Sequence, residues 1–249
     1  MNREIEEFKI YTKPYIQISD SCTLKIDHTF RVMDLCERIA KSLKLSNEDI
    51  YLAKLCGLLH DIGRFEQWRN YGTFSDKDSV DHGDLGIEVL TTNNLIRKFI
   101  YNDKYDNIIT SSILFHNKYD VPNELTDREK LFCNIVRDAD KIDIIYLYTI
   151  GHITVETNNT CFSDKIYDCL INKKLISRYD KKTEADVLSI SLGFVFDINF
   201  KESFKILRDF DYLNKEIDIY INKTSNPLFI KQLSCVKNII TDYIDNKSL

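Results

Sequence analysis

Apolar residues along this 249-residue chain recur mostly at intervals of three and four, the spacing that lines one face of an α-helix. Residues 1–22 read as a short lead-in helix and loop. From His28 to Leu45, Val32, Cys36, Ile39, Ala40 and Leu43 share a face, and His28 falls in the first turn of the helix they predict. Ser46-Asn47-Glu48-Asp49 then has the form of a capping box, in which Ser46 satisfies a free amide at the helix start. Behind it Ile50, Ala53, Cys56 or Gly57, and His60 keep the helical period, and Gly63 is placed to end the helix. His60 and Asp61 would therefore stand at a helix C-terminus, facing the interior.

A polar loop rich in Asn, Asp, Gly and Ser is expected from Trp68 to Ser79. A helix resumes near Asp81-His82-Gly83-Asp84 and carries Ile87, Val89 and Leu90. Another spans about Tyr105 to His116, with Ile108, Ile109, Ser112 and Ile113 inward. Thr126-Asp127-Arg128-Glu129 is a second capping box, opening a helix through Leu131, Ile135 and Asp138. Asp138-Ala139-Asp140-Lys141-Ile142-Asp143 begins a further helix that ends near Gly151. The stretch 188–200 fits two periods. Leu188, Ile190, Leu192, Phe194, Phe196, Ile198 and Phe200 alternate like a strand, whereas the Thr183-Glu184-Ala185-Asp186 box with Val187, Ser191 and Ile198 fits a helix; the helix is the reading adopted. Phe204, Leu207, Phe210, Leu213 and Ile217 form one further stripe, and Phe229, Leu233, Val236, Ile240 and Tyr243 another. These patterns predict one all-α domain, residues 1–155, with a C-terminal helical extension, residues 156–249, packed on the same domain.

Composition supports long helices: only 7 Gly and 3 Pro punctuate the chain, too few for a turn-rich β fold. No apolar run approaches the roughly 18 residues of a membrane span, and the acidic N-terminus lacks a signal-peptide core. The seven cysteines include no Cys-x-x-Cys pair, and Cys36, Cys56, Cys133 and Cys235 fall on helical apolar positions. Reduced core thiols in a cytoplasmic protein are the expectation. A net charge of −5 argues against a nucleic-acid polymer as partner. A small anion is still admissible where metal ions and a few basic residues reverse the field. The sequence leaves the oligomeric state open.

Candidate chemistry concentrates in the histidines. Of five, four occupy predicted helices where a metal could use them: His28, His60 beside Asp61, His82 and His116, with Asp140 completing the set. Helical bundles build metal sites by projecting ligands inward from facing helices. Four imidazoles and two carboxylates exceed the needs of one tetrahedral zinc and suit two ions sharing a carboxylate. Mixed nitrogen and oxygen donors favour Fe, Mn, Co or Ni, with Mg or Zn as alternatives.

The order His, His-Asp, His, His, Asp resembles the HD-domain superfamily of metal-dependent phosphohydrolases over about residues 25–145. His60-Asp61-Ile62-Gly63-Arg64 is similar to the family's His-Asp-Ile-Gly-Lys form, with arginine for lysine, and Asp138-Ala139-Asp140-Lys141 looks like its closing helix. The resemblance implies that His28, His60, Asp61 and Asp140 hold one divalent transition-metal ion. Asp61 would bridge to a second ion held by His82 and His116. Arg64 is a candidate to assist catalysis by gripping a phosphate, with an ordinary charge at a helix end as the alternative. Arg31, one turn after His28 on the same face, and Lys141, next to Asp140, are further candidate substrate contacts. His116 is followed by Asn117 where some cyclic-dinucleotide phosphodiesterases pair histidines, and their Gly-Tyr-Pro element is missing.

The implied activity is hydrolysis of a phosphoester or phosphoanhydride in a small nucleotide-type molecule: a dinucleoside polyphosphate, a cyclic nucleotide or a nucleoside phosphate. Two alternatives use the same residues, a di-iron oxygenase cleaving a C–C or C–P bond and a non-catalytic nucleotide-binding regulator. His152 matches no position of the pattern and reads as structural. Asp138 and Asp143 read as exposed helical carboxylates, with a supporting role at the site as the alternative. Trp68, Tyr71 and Phe74 read as loop aromatics that pack on their own domain, with a base-stacking lid as the alternative.

Overall fold

The computed structural model describes residues 1–177 and 180–249, and the described residues form helices and loops with no strand. The fold is all-α. The chain divides into two compact units, Met1–Asp140 and Lys141–Leu249.

The first unit holds α1 (Asn2–Ile16), α2 (Asp20–Ser42), α3 (Asn47–Leu59), α4 (Ile62–Tyr71), α5 (His82–Thr91), α6 (Ile96–Phe99) and α7 (Asp106–Phe115). It also holds the first part of α8 (Asp127–Thr149). Two local signals hold as read. Ser46 Oγ accepts the Asp49 amide at 3.1 Å. Thr126 and Glu129 exchange bonds, with the Thr126 amide donating to Glu129 Oε2 at 2.8 Å and the Glu129 amide to Thr126 Oγ1 at 3.2 Å. Such reciprocal caps satisfy amides that have no partner inside a helix.

Three boundaries differ from expectation. α2 begins at Asp20, capped by Ser19, so His28 lies well inside the helix and not in its first turn. Gly63 does not end a helix. α3 stops at Leu59, Asp61 takes non-helical angles (φ −104°, ψ 18°), and α4 starts at once and runs to Tyr71, so the loop begins at Gly72. α8 is a single helix across Asp138–Asp143, and Asp138 and Asp143 are both buried instead of solvated.

The α2/α3 pair forms the heart of this unit, and α3 is apolar nearly all round. Leu52, Ala53, Leu55, Cys56, Leu58 and Leu59 are at most 1% exposed, the mark of a helix enclosed by others. Gly57 lets α2 approach. A Cβ there would stand 2.9 Å from Cys36 Sγ and 3.0 Å from Met33 Cα. Gly63 does the same between α4 and α5, since a Cβ would lie 2.5 Å from the Gly86 amide nitrogen and inside contact with the His82 carbonyl. α1 packs Phe8 edge-on against Phe30 and Phe65, each pair at 5.8 Å, and Tyr11 donates to the Ile62 carbonyl at 3.2 Å.

The second unit comprises the end of α8, α9 (Asp164–Ile171), α10 (Ser189–Gly193), α11 (Lys201–Phe210), α12 (Tyr212–Lys223) and α13 (Pro227–Ser248). The ambiguous 188–200 stretch is helical but broken as far as Asp197 and extended at Ile198, with short 3-10 turns at Ala185–Val187 and Phe194–Asp197 flanking α10. The Thr183 cap is present. The Asp186 amide donates to Thr183 Oγ1, while the buried Asp186 carboxylate accepts the amides of Ser163, Lys182 and Thr183 and the Ser163 hydroxyl. Phe162 stacks edge-on with Phe229 at 5.0 Å, and Gln232 closes both backbone groups of Phe162. Of the two apolar stripes, only Phe210 turns outward, 47% exposed. No helix among the described residues is long and apolar enough to cross a membrane.

Candidate metal centre

Five helices and one turn of the first unit deliver six ligand-type side chains to one place. α2 brings His28, the end of α3 brings His60, the turn into α4 brings Asp61, the start of α5 brings His82, the end of α7 brings His116, and α8 brings Asp140. The four histidines and Asp61 are at most 3% exposed. So many polar rings and carboxylates in an apolar interior are costly unless something compensates them.

The hydrogen bonds fix which ring nitrogens face inward. His60 Nδ1 lies 2.8 Å from the Gly57 carbonyl and His116 Nδ1 lies 2.6 Å from the Ile113 carbonyl. A carbonyl can only accept, so each Nδ1 carries the proton and each neutral ring turns an Nε2 lone pair to the centre. His60 Nε2 is 3.3 Å from His28 Nε2, and His82 Nε2 is 3.0 Å from His116 Nε2. For His60 and His82 the surroundings disfavour the protonated form. Burial pushes His60 down and, with the Arg64 charge, pushes His82 down to about 4. A shared cation resolves the crowding. Two donors bound at about 2.0–2.2 Å with tetrahedral or octahedral angles stand about 3.0–3.5 Å apart. The donor set fits a metal.

Asp61 divides the rings. Its Oδ2 is 3.5 Å from His28 Nε2 and 3.5 Å from His60 Nε2, and its Oδ1 is 3.4 Å from His82 Nε2 and 3.7 Å from His116 Nε2. Asp140 Oδ1 joins the first pair, 3.2 Å from His28 and 3.6 Å from His60. His28, His60 and Asp140 each offer an atom within 4.8 Å of the others, and so do His60, Asp61 and His116, so the two groups share a wall. Burial alone would raise both carboxyls. Lys25 and the surrounding imidazoles hold Asp61 well below the usual carboxylate range, and His28 and His60 do the same for Asp140.

Two neighbours escaped the sequence reading. Lys25 Nζ lies 2.5 Å from Asp61 Oδ2. Its one sequence signal is its position three residues before His28 on the same helix. Asp76, in the loop between α4 and α5, sets both oxygens at 2.9 and 2.8 Å from His82 Nδ1. Fully buried Gln67 holds Asp76 at 3.0 Å and ties down the loop through Ser79 Oγ and the Val80 carbonyl, both at 2.9 Å.

Among the residues expected to meet substrate, Arg64 borders the cluster, its Nε 3.5 Å from Asp61 Oδ1, while its Nη1 and the Lys141 ammonium are held by other acceptors. Arg64 Nη1 donates to Gln67 Oε1 at 2.8 Å, the Phe74 carbonyl at 2.5 Å and Asp76 Oδ1 at 2.8 Å. The guanidinium is drawn into the loop because Asp76 and the Phe74 carbonyl supply acceptors there. Lys141, 7% exposed as a residue, pairs with Asp197 at 2.9 Å. Arg31 follows His28 by one turn and is half-buried, and His152 is exposed. Trp68 and Phe74 pack on each other at 4.7 Å, and Tyr71 is half exposed.

Compared with family models, residues 26–145 match the HD domain, a span that contains all six converging residues. Neither the curated proteins nor the solved structures contain a match to the chain.

Proposed function

We propose that the chain, whose residues 26–145 match the HD domain, is a metal-dependent phosphohydrolase. Its substrate would be a small nucleotide-type molecule, such as a dinucleoside polyphosphate, a cyclic nucleotide or a nucleoside phosphate, and the bond broken a phosphoester or phosphoanhydride. The observation that carries this reading is the division of ligands about Asp61, one oxygen toward His28 and His60, the other toward His82 and His116. On this reading His28, His60, Asp140 and Asp61 would hold one ion, and Asp61, His82 and His116 would hold a second. The mixed donors suit Fe, Mn, Co or Ni, with Mg or Zn as alternatives. When bound, such ions make hydroxide available from water at neutral pH and offset the charge of a phosphoryl group.

The protein's own residues position and polarise. The Gly57 and Ile113 carbonyls lock the tautomers of His60 and His116. Asp76, steadied by Arg64 and Gln67, does so for His82, as an acceptor behind a ligating imidazole commonly does. The carboxylates of Asp61 and Asp140 total two negative charges against two divalent ions. The excess is positive, and Lys25 adds to it, which favours a multiply charged anion over a neutral substrate. The complete ligand set speaks against a catalytically silent nucleotide-binding regulator. Seven free cysteines, three of them intermediate in burial and four buried, support a reducing compartment such as the cytoplasm.

The donor set would equally hold two irons, so the test must separate hydrolysis from oxygenation. Protein purified without added metal is analysed for metals and screened against nucleotides with Mn, Co or Fe, in air and without oxygen. Release of phosphate or a nucleotide product in anaerobic Mn-loaded samples is expected. Turnover confined to iron-loaded protein in air would refute the hydrolytic reading in favour of C–C or C–P bond cleavage.

A further inference from the structure

On the phosphohydrolase reading, a side-chain cation beside the metal positions would add a direct grip on the substrate's phosphate. Arg64 stands at the family-like position, but its Nη1 is held by three acceptors of the loop and its Nε is buried 3.5 Å from Asp61 Oδ1; only its Nη2 makes no hydrogen bond among the described residues and is not buried. Lys141 is paired with Asp197.

Lys25 is placed differently. Its ammonium touches Asp61 Oδ2 at 2.5 Å, its one hydrogen-bond partner among the described residues, which leaves two N–H donors uncommitted. Its side chain is 21% exposed, against 14% for Asp140 and 14% for Arg64 and 3% for Asp61. It is therefore the most exposed of these four side chains, and the one a ligand arriving from solvent meets first. The Phe74 ring, 5.9 Å from Nζ, forms an apolar wall on one side, and a low-dielectric wall strengthens a nearby charge interaction.

We propose that Lys25 is the phosphate-binding cation of this site, gripping a non-bridging phosphate oxygen while it borders the carboxylate shared by both ligand groups. This assignment rests on the phosphohydrolase reading. It gives the substrate-gripping role to a residue of α2, outside the His-Asp-x-Gly-Arg segment, and leaves Arg64 as a positioning residue for Asp76.

The test titrates inorganic phosphate into metal-loaded wild type, Lys25→Met and Lys25→Arg, followed by calorimetry, with metal content measured on each sample. Charge-assisted hydrogen bonds of this kind correspond to about a ten- to hundredfold change in affinity. Lys25→Met is expected to weaken phosphate binding by that factor with metal content unchanged, and Lys25→Arg to stay within about threefold of wild type. If Lys25→Met does not fold, Lys25→Gln carries the same expectation. Wild-type phosphate affinity in the metal-loaded neutral variant would overturn the proposal. Loss of metal from that variant would overturn it too, by making Lys25 a support of Asp61. A wild type that takes up metal and binds no phosphate would overturn the phosphohydrolase reading, and this proposal with it.

Discussion

A histidine is a better ligand when its other nitrogen is held, and the holds on His60, His82 and His116 are of two kinds. His60 and His116 lean on carbonyls of their own helices, three residues back, so their tautomers follow from local geometry. His82 leans on Asp76, a carboxylate held far below its usual range by His82 and Arg64 although burial opposes this. Losing the acceptor behind a ligating histidine typically costs about 10–100-fold in metal affinity. Asp76→Asn should therefore weaken one of two bound ions by that factor and spare the other, as read by chelator competition. Equal weakening of both, or of neither, would separate Asp76 from the metal.

A second residue-scale prediction concerns Glu216 in the second unit. This carboxyl is fully buried, its Oε1 accepts from Ser191, and its Oε2 has no partner. Burial pushes it up to about 8. A carboxyl raised above its unfolded value favours folding fully below about pH 4.3, and that contribution is lost as pH climbs toward 8. Glu216→Gln cannot ionise. It should melt close to wild type near pH 4.5 and be the more stable protein by about 1–3 kcal/mol near pH 8. An advantage that does not grow between those pH values would show that Glu216 does not titrate in this range.

At the scale of elements, the close crossing of α4 and α5 decides where His82 stands. Gly63→Ala drives a methyl into backbone atoms of His82 and Gly86, which cannot rotate away. Overpacking of this kind costs about 1–3 kcal/mol. The damage should reach the site as well, with urea denaturation showing lower stability and metal analysis showing loss at the His82 side. A Gly63→Ala protein with wild-type stability and metal content would contradict the crossing.

This glycine also shows where the sequence stops being legible. Gly63 follows an apolar run as a helix terminator would, and only the approach of α5 from elsewhere in the chain reveals its role. Asp138 and Asp143 break an apolar stripe in the same misleading way, so α8 read as two helices. The caps at Ser46, Thr126 and Thr183 were legible because their partners lie three residues away. The six candidate ligands were legible because histidines are few and their order is a family pattern. Lys25 and Asp76 were not, because a lysine in a helix and an aspartate in a polar loop are ordinary until folding sets them beside Asp61 and His82.

For the whole molecule, α8 is the element that belongs to both compact units. Compactness divides the chain between Asp140 and Lys141, inside an unbroken helix. We propose residues 1–155 as the unit that carries the chemistry, because it keeps α8 whole to Thr149 and includes Gly151, whose φ of +75° suits the turn that follows.

The central claim is that Asp61 stands between two metal positions. Anomalous diffraction from a crystal grown with Mn or Fe tests it most directly. Two peaks are predicted, one bounded by His28, His60 and Asp140, the other by His82 and His116, with one Asp61 oxygen directed at each. A single peak, or two that both lie on one side of Asp61, would contradict the account.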